Sequence, residues 1–201
     1  VIYNKDKNYA FFHIPKTAGQ SILTALGYET KQRVPPNAGY HTIPKTFVEK
    51  LEIKKFDKIF SFAFVRNPWE RMHSMYHYIC KSDNYKTRDY IKHYRSMGFN
   101  NWMVEECANF CKSQGWYNGD YIFQQVDWVT YNNKLISFVG RYENLDGDFK
   151  FICDKINHPY IKLPHVHKTK KPDYHNEYNS NAYNKIVELF SKDIETFNYE
   201  F

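Results

Sequence analysis

The sequence is poor in cysteine, glycine and proline, and each scarcity removes a class of protein. Four cysteines (Cys80, Cys107, Cys111 and Cys153) among 201 residues are too few and too irregular for a disulfide-stapled scaffold. Cys107 and Cys111, one helical turn apart, read as helix packing rather than metal ligation. Eight glycines and eight prolines exclude collagen-like and low-complexity classes. No apolar run reaches the roughly 18 residues of a membrane span. No charged-then-apolar leader opens the chain either. The first residue is Val, which leaves open a missing segment upstream. No long Lys/Arg block exists, so a nucleic-acid arm is not expected. A reduced, cytoplasmic protein is the default expectation.

What is present is a core and a positive balance. Hydrophobic residues make up 42% and aromatics 19%, enough for one compact globular domain over residues 1–201. The net charge of +6 favours an anionic partner: nucleic acid, acidic glycan or a phosphorylated cofactor.

Hydrophobic patterning predicts alternating strands and helices. Tyr9 to Ile14 has strand length and stops at Pro15, and Gln20 to Leu26 reads as a short helix. Residues 28–44 look like a loop, and Ile43 to Leu51 a helix. Lys58 to Val65 is the clearest strand, almost continuously apolar as a buried parallel strand is. Asn67-Pro68-Trp69-Glu70 carries an N-cap, an N1 proline and an N3 carboxylate. Trp69, Met72, His73, Tyr76, Ile79 and Cys80 then recur at helical spacing. Two further helical stretches are expected within 86–113, a strand over Leu135–Val139 and a helix over Asp148–Ile156. A polar loop spans 157–180 before a last helix from Ala182 to about Phe197. This pattern predicts an α/β fold with a mainly parallel central sheet flanked by helices. Ligands of such sheets sit beyond the carboxyl ends of the strands.

Two strand-to-helix junctions carry the chemistry. The first, His13-Ile-Pro-Lys16-Thr17-Ala18-Gly19-Gln20-Ser21, combines a lysine, small residues, two hydroxyls and a helix start, the parts of a phosphate cradle. It is not a Walker A loop, because Lys16 precedes Gly19. In the second, Phe64-Val-Arg66-Asn67-Pro68-Trp69-Glu70-Arg71-Met-His-Ser74, Arg66 ends the buried strand, where a phosphate would satisfy its guanidinium. Ser74 follows off the apolar stripe. Read singly, each junction also fits a plain capped helix or an Arg66–Glu70 pair.

Together the two segments resemble the PAPS-dependent sulfotransferases, in particular the carbohydrate branch of the Golgi heparan and chondroitin type, which implies a three-layer, P-loop-like form of the α/β fold. Gln125 to Val129, Val139 to Leu145 and Asp193 to Tyr199 look like later landmarks of that family. The resemblance implies that Lys16, Thr17, Ala18, Gly19, Gln20 and Ser21 wrap the 5′-phosphosulfate of PAPS, with the Thr17 and Ser21 hydroxyls as donors. It implies that Arg66 and Ser74 hold the 3′-phosphate, that Tyr142 touches adenine and that Lys168, in Lys168-Thr-Lys170, closes over the nucleotide. For Tyr142 core packing, and for Lys168 a solvated loop, are the plainer readings.

Sulfuryl transfer needs a base for the acceptor hydroxyl, a cation beside the leaving phosphate, and alignment of both ends. Lys16 suits the second task. Histidine suits the first. His13 and His73 read as packed residues, and His158, His165 and His167 match no common zinc spacing. His41, in Gly39-Tyr-His41-Thr-Ile-Pro44, lies where the carbohydrate branch tends to place its base, and is the catalytic candidate beside Lys16. No metal is expected. The competing readings are a P-loop nucleotide-dependent phosphotransferase and a non-catalytic polyanion- or glycan-binding module. The acceptor is expected to be a glycan or a small molecule, and the Asn-, Lys- and Tyr-rich composition fits a bacterial or viral source.

Overall fold

The computed structural model describes residues 1–28, 41–81, 89–118, 121–122, 124–164 and 172–201. Lys168, Lys170, His165 and His167 lie outside the described residues.

In chain order the elements begin with β1 (Ile2–Asn4), β2 (Tyr9–Phe12), α1 (Gly19–Ala25), α2 (Pro44–Lys50), β3 (Phe60–Val65) and α3 (Pro68–Lys81). There follow α4 (Asp89–Asn101), a π-helical stretch (Trp102–Glu106), α5 (Cys107–Ser113) and the short pair β4 (Tyr117–Asn118) and β5 (Tyr121–Ile122). The chain closes with α6 (Gln125–Trp128), β6 (Thr130–Tyr131), β7 (Lys134–Leu135), β8 (Phe138–Arg141), α7 (Leu145–Lys155) and α8 (Ser180–Phe197). These elements group into two compact units: Val1–Arg66 with Gln125–His167, and Asn67–Gln124 with Lys168–Phe201.

The first unit is a sheet with helices on both faces. Its strand order is β1-β2-β3-β8. β1 runs antiparallel to β2, whereas β2–β3 and β3–β8 are parallel. All of β3 except Phe60 is buried, as expected of a central strand covered on both sides. Side chains alternate between faces. Phe11, Phe62 and Phe64 pack with Ile22, Leu23 and Leu26 near α1 and with Phe149, Ile152 and Cys153 of α7. On the opposite face Phe12 meets Phe47 of α2 edge-on, with centroids 5.4 Å apart. Each fully buried phenylalanine contributes about 1.5–3 kcal/mol, so this double-sided aromatic packing is the principal stabiliser of the sheet. Gly140 is where β8 accommodates it, since an added Cβ there would lie 2.7 Å from Phe64 Cε1.

Register sets up the site. Phe12 of β2 pairs with Ala63 of β3, and Val65 of β3 pairs with Arg141 of β8. The carboxyl ends of the three parallel strands therefore open on the same edge, releasing the His13–Ser21 segment, Arg66 and Tyr142.

Two expectations need correcting in this unit. The strand expected over Leu135–Val139 is two elements. Leu135 pairs with Thr130 in a hairpin, turned by Asn132 and Asn133 at φ 48° and 60°, and the core strand starts at Phe138. Asparagine tolerates that left-handed backbone, which two-residue hairpin turns require. The helix expected from Asp148 begins at Leu145. Asp148 instead accepts from Arg141 N at 2.6 Å and from Asn144 Nδ2 at 2.9 Å, fastening the β8-to-α7 turn.

The second unit is helical. At the head of α3 the Trp69 N–H donates to Asn67 Oδ1 at 3.1 Å, and the Arg71 N–H donates to Asn67 O at 2.8 Å, as the N-cap signature requires. Trp69 stacks on Tyr183 of α8 at 5.3 Å, and Tyr178 donates its hydroxyl to Trp69 O at 2.8 Å. Arg71 is buried, which lowers its pKa, while the charge of Asp193 opposes that shift. All four cysteines are free and buried. Among the described residues, no helix is long and apolar enough to cross a membrane.

Candidate active site

The first junction folds as a tight loop between β2 and α1. Pro15 cannot continue the β2 ladder. Lys16 and Ala18 then take left-handed backbone, at φ 70° and 66°, on either side of Thr17. Non-glycine residues reach that region at a cost of about 1–2 kcal/mol each, so the loop shape is held by its surroundings. One restraint is Thr17, fully buried, whose Oγ1 donates to Ile14 O at 2.9 Å. In this arrangement the Thr17 hydroxyl braces the loop against its own carbonyl. Ala18 caps α1, and the Ile22 N–H donates to Ala18 O at 3.2 Å. The N–H groups of Gly19, Gln20 and Ser21 stand in the first turn, where a helix supplies them no internal carbonyl. Ser21 is buried.

Gly19 has a steric reason that the sequence alone does not display. A Cβ there would lie 1.8 Å from the His13 ring, so only glycine lets that imidazole pack against the helix start. His13 is buried and stacked on Phe11, with centroids 5.9 Å apart.

Arg66, at the end of β3, joins the two junctions. It is 4% exposed, and its Nη1 donates to Lys16 O at 3.1 Å. Its guanidinium lies 3.8 Å from the centroid of the Tyr142 ring, a cation–π contact worth about 0.5–2 kcal/mol. The backbone of Arg66 is held by Gln125: Arg66 N donates to Oε1 and Gln125 Nε2 donates to Arg66 O, both at 2.8 Å. Gln125 is fully buried. Sequence reasoning noted Gln125 as a landmark without a role, and nothing local in the sequence links it to a residue 59 positions away.

His41 completes the group. Its Nδ1 lies 2.8 Å from His13 O. A carbonyl only accepts, so Nδ1 carries the proton and Nε2 of the neutral ring carries the lone pair. The His41 ring lies 4.8 Å from that of His13 and meets Trp128 edge-on at 6.0 Å. Burial pulls the His41 pKa down to about 4, opposed by the hydrogen bond to His13. Burial likewise holds His13 well below its ordinary value. Both rings are neutral near pH 7. Trp128, the aromatic neighbour of His41, was missed by sequence reasoning, which had no signal for it beyond its place in the Gln125–Val129 landmark.

The first unit thus brings together Lys16, Thr17, Ala18, Gly19, Gln20, Ser21, His41, Arg66 and Tyr142. Ser74 belongs to the second unit, buried on α3. Lys168 lies outside the described residues.

Known proteins give the same direction. A sequence of unassigned activity from the archaeon Archaeoglobus fulgidus is 29% identical over 109 residues, 53% of this chain and 74% of that one. Among solved structures the fold is similar to that of the mouse sulfotransferase SULT7A1 complexed with PAP, with a TM-score of 0.50 and 12% identity over 96% of this chain and 86% of the other. The family described as "Sulfotransferase family" matches residues 1–200, across both units. The chain belongs to the sulfotransferase family.

Proposed function

We propose that the protein transfers a sulfuryl group from PAPS to an acceptor hydroxyl, with His41 as base and Lys16 beside the leaving phosphate. The observation that carries this reading is the Arg66 guanidinium, which hydrogen-bonds the Lys16 carbonyl and lies on the Tyr142 ring. It draws two junctions, each ambiguous alone, to one place at adjacent strand ends. The mouse relative complexed with PAP supports the choice of nucleotide.

PAPS, when bound, supplies an activated sulfuryl group on a 5′-phosphate that leaves in line with the incoming oxygen. The loop from Lys16 to Ser21 fits such an anion through the first-turn N–H groups of α1 and the Lys16 ammonium. Arg66 offers a planar donor set to the 3′-phosphate, on a guanidinium already oriented by Tyr142 and Lys16. Ser74 and Lys168 rest on the resemblance alone. His41, protonated on Nδ1, keeps an Nε2 lone pair available across the physiological range to accept the hydroxyl proton as the oxygen attacks, at the cost of the lower basicity that burial imposes. The acceptor class we propose is a sugar hydroxyl, on the likeness to the carbohydrate branch.

The test couples turnover to binding. Labelled PAPS presented with a panel of glycan and small-molecule acceptors should give a sulfated product. His41→Ala should abolish transfer and leave PAP affinity nearly intact. Retained turnover in that variant would remove His41 from the chemistry. Stabilisation by ATP with magnesium, and none by PAP, would favour a phosphotransferase instead.

A further inference from the structure

The second unit contains a cluster of side chains that sulfuryl transfer does not use. His73 and His77 stand one turn apart on α3, a spacing that places both rings on the same helix face. Glu177 follows the single turn at Tyr174–Asn176. Its Oε2 lies 2.6 Å from His73 Nε2 and 2.9 Å from His77 Nε2, and the two ring nitrogens are 3.1 Å apart. His73 is fully buried, His77 nearly so, and the Glu177 side chain is 25% exposed.

A carboxylate oxygen accepts from two N–H groups at once, so both rings can donate to Oε2, and the 3.1 Å separation of the nitrogens then carries no bond of its own. The same two imidazole nitrogens and carboxylate oxygen converge within reach of a single cation, and with each neutral ring protonated on Nδ1 all three present a lone pair to it. We propose that His73, His77 and Glu177 bind a divalent transition-metal cation of the zinc class, with water completing a tetrahedral shell.

Two imidazoles and one carboxylate suit zinc, cobalt or nickel, whereas magnesium and calcium require oxygen donors. Bonds of about 2.0–2.1 Å separate tetrahedral ligand atoms by about 3.3 Å. The triangle must therefore open by about 0.2–0.7 Å, most at the His73–Glu177 edge, and Glu177 is its most exposed member. The ring of Phe99 stands edge-on to His73 at 5.1 Å, walling the cluster with apolar surface. The ion would fasten the Tyr174–Asn176 turn to α3. From the sequence no metal is expected, because Lys, Arg and backbone dipoles supply the positive charge and no Asp-rich magnesium site is evident; the third donor of this cluster lies 100 residues from His77. All three donors belong to the second unit, so the proposal does not depend on the nucleotide reading.

The full chain, stripped with a chelator and dialysed, should be titrated with Zn(II) and separately with Co(II). One equivalent of Zn(II) should bind and raise the thermal midpoint. Co(II) should give the visible absorption of a tetrahedral nitrogen–oxygen site, without a near-ultraviolet thiolate band. Loss of an outer partner alone weakens such sites by about 10–100-fold, so Glu177→Gln and His77→Ala should each weaken binding by at least ~100-fold. His175→Ala, at an exposed histidine, should leave it unchanged. Should His77→Ala fail to fold, the near-isosteric Glu177→Gln decides. Absence of stoichiometric binding, a thiolate band, or wild-type affinity in Glu177→Gln would overturn the proposal.

Discussion

His41 is held by one carbonyl and one buried environment, and both have consequences that can be measured. In the unfolded chain His41 and His13 titrate near 6.5, whereas in the fold His41 titrates at about 4 and His13 well below its ordinary value. Between pH 6.5 and 4 the unfolded chain therefore binds protons that the native state does not. Stability contributed by keeping these rings neutral is complete above pH 6.5 and lost as pH falls through that window. Urea midpoints should accordingly be lower at pH 5 than at pH 7.5, and His41→Asn should shrink the difference. An equal pH dependence in that variant would mean His41 is not the buried titrating group. Gly19 gives a second residue-scale test. Gly19→Ala drives a methyl group into the His13 ring and should destabilise by about 1–3 kcal/mol, read as a lower midpoint, while displacing the carbonyl that orients His41. A glycine in a loop is easy to see in a sequence. That its neighbour is an imidazole six residues earlier, rather than a ligand, is a fact of packing.

At the scale of elements, the segments with strong local signals were legible and the tertiary ones were not. Lys58 to Val65 announces β3 by its unbroken apolar run, and Asn67-Pro68 announces the head of α3 by its capping chemistry. β1 has only three residues and exists by pairing with β2. The Asn132–Asn133 hairpin was hidden because both of its strands have two residues, too short for any period to show. Thr17 shows the same limit: its hydroxyl is visible in the sequence, but its commitment to Ile14 O is not. The α6 contact with Arg66 is of that tertiary kind and is testable. Gln125→Leu keeps the volume but removes both hydrogen bonds to the Arg66 backbone. Losing these two hydrogen bonds should lower stability by about 0.5–1.5 kcal/mol each, measurable by chemical denaturation. A neutral effect would show that Gln125 does not fix the end of β3.

For the whole molecule, charge and family agree on the kind of partner. A net charge of +6 and a family match over residues 1–200 favour an anionic substrate, and the basic groups that sequence and structure single out together, Lys16 and Arg66, lie at adjacent strand ends. The α/β class was legible because the alternation of strands and helices is written in apolar periodicity. The His73–His77–Glu177 cluster was not, because its members come together only when Glu177 meets α3. The role of Arg66 in holding the nucleotide is tested most directly by calorimetric titration of PAP into wild-type, His41→Ala and Arg66→Ala protein. Wild type and His41→Ala should bind alike, and Arg66→Ala should lose about 2–5 kcal/mol of binding free energy, as when one partner of a desolvated charge pair is removed. Unchanged PAP affinity in Arg66→Ala would contradict the account.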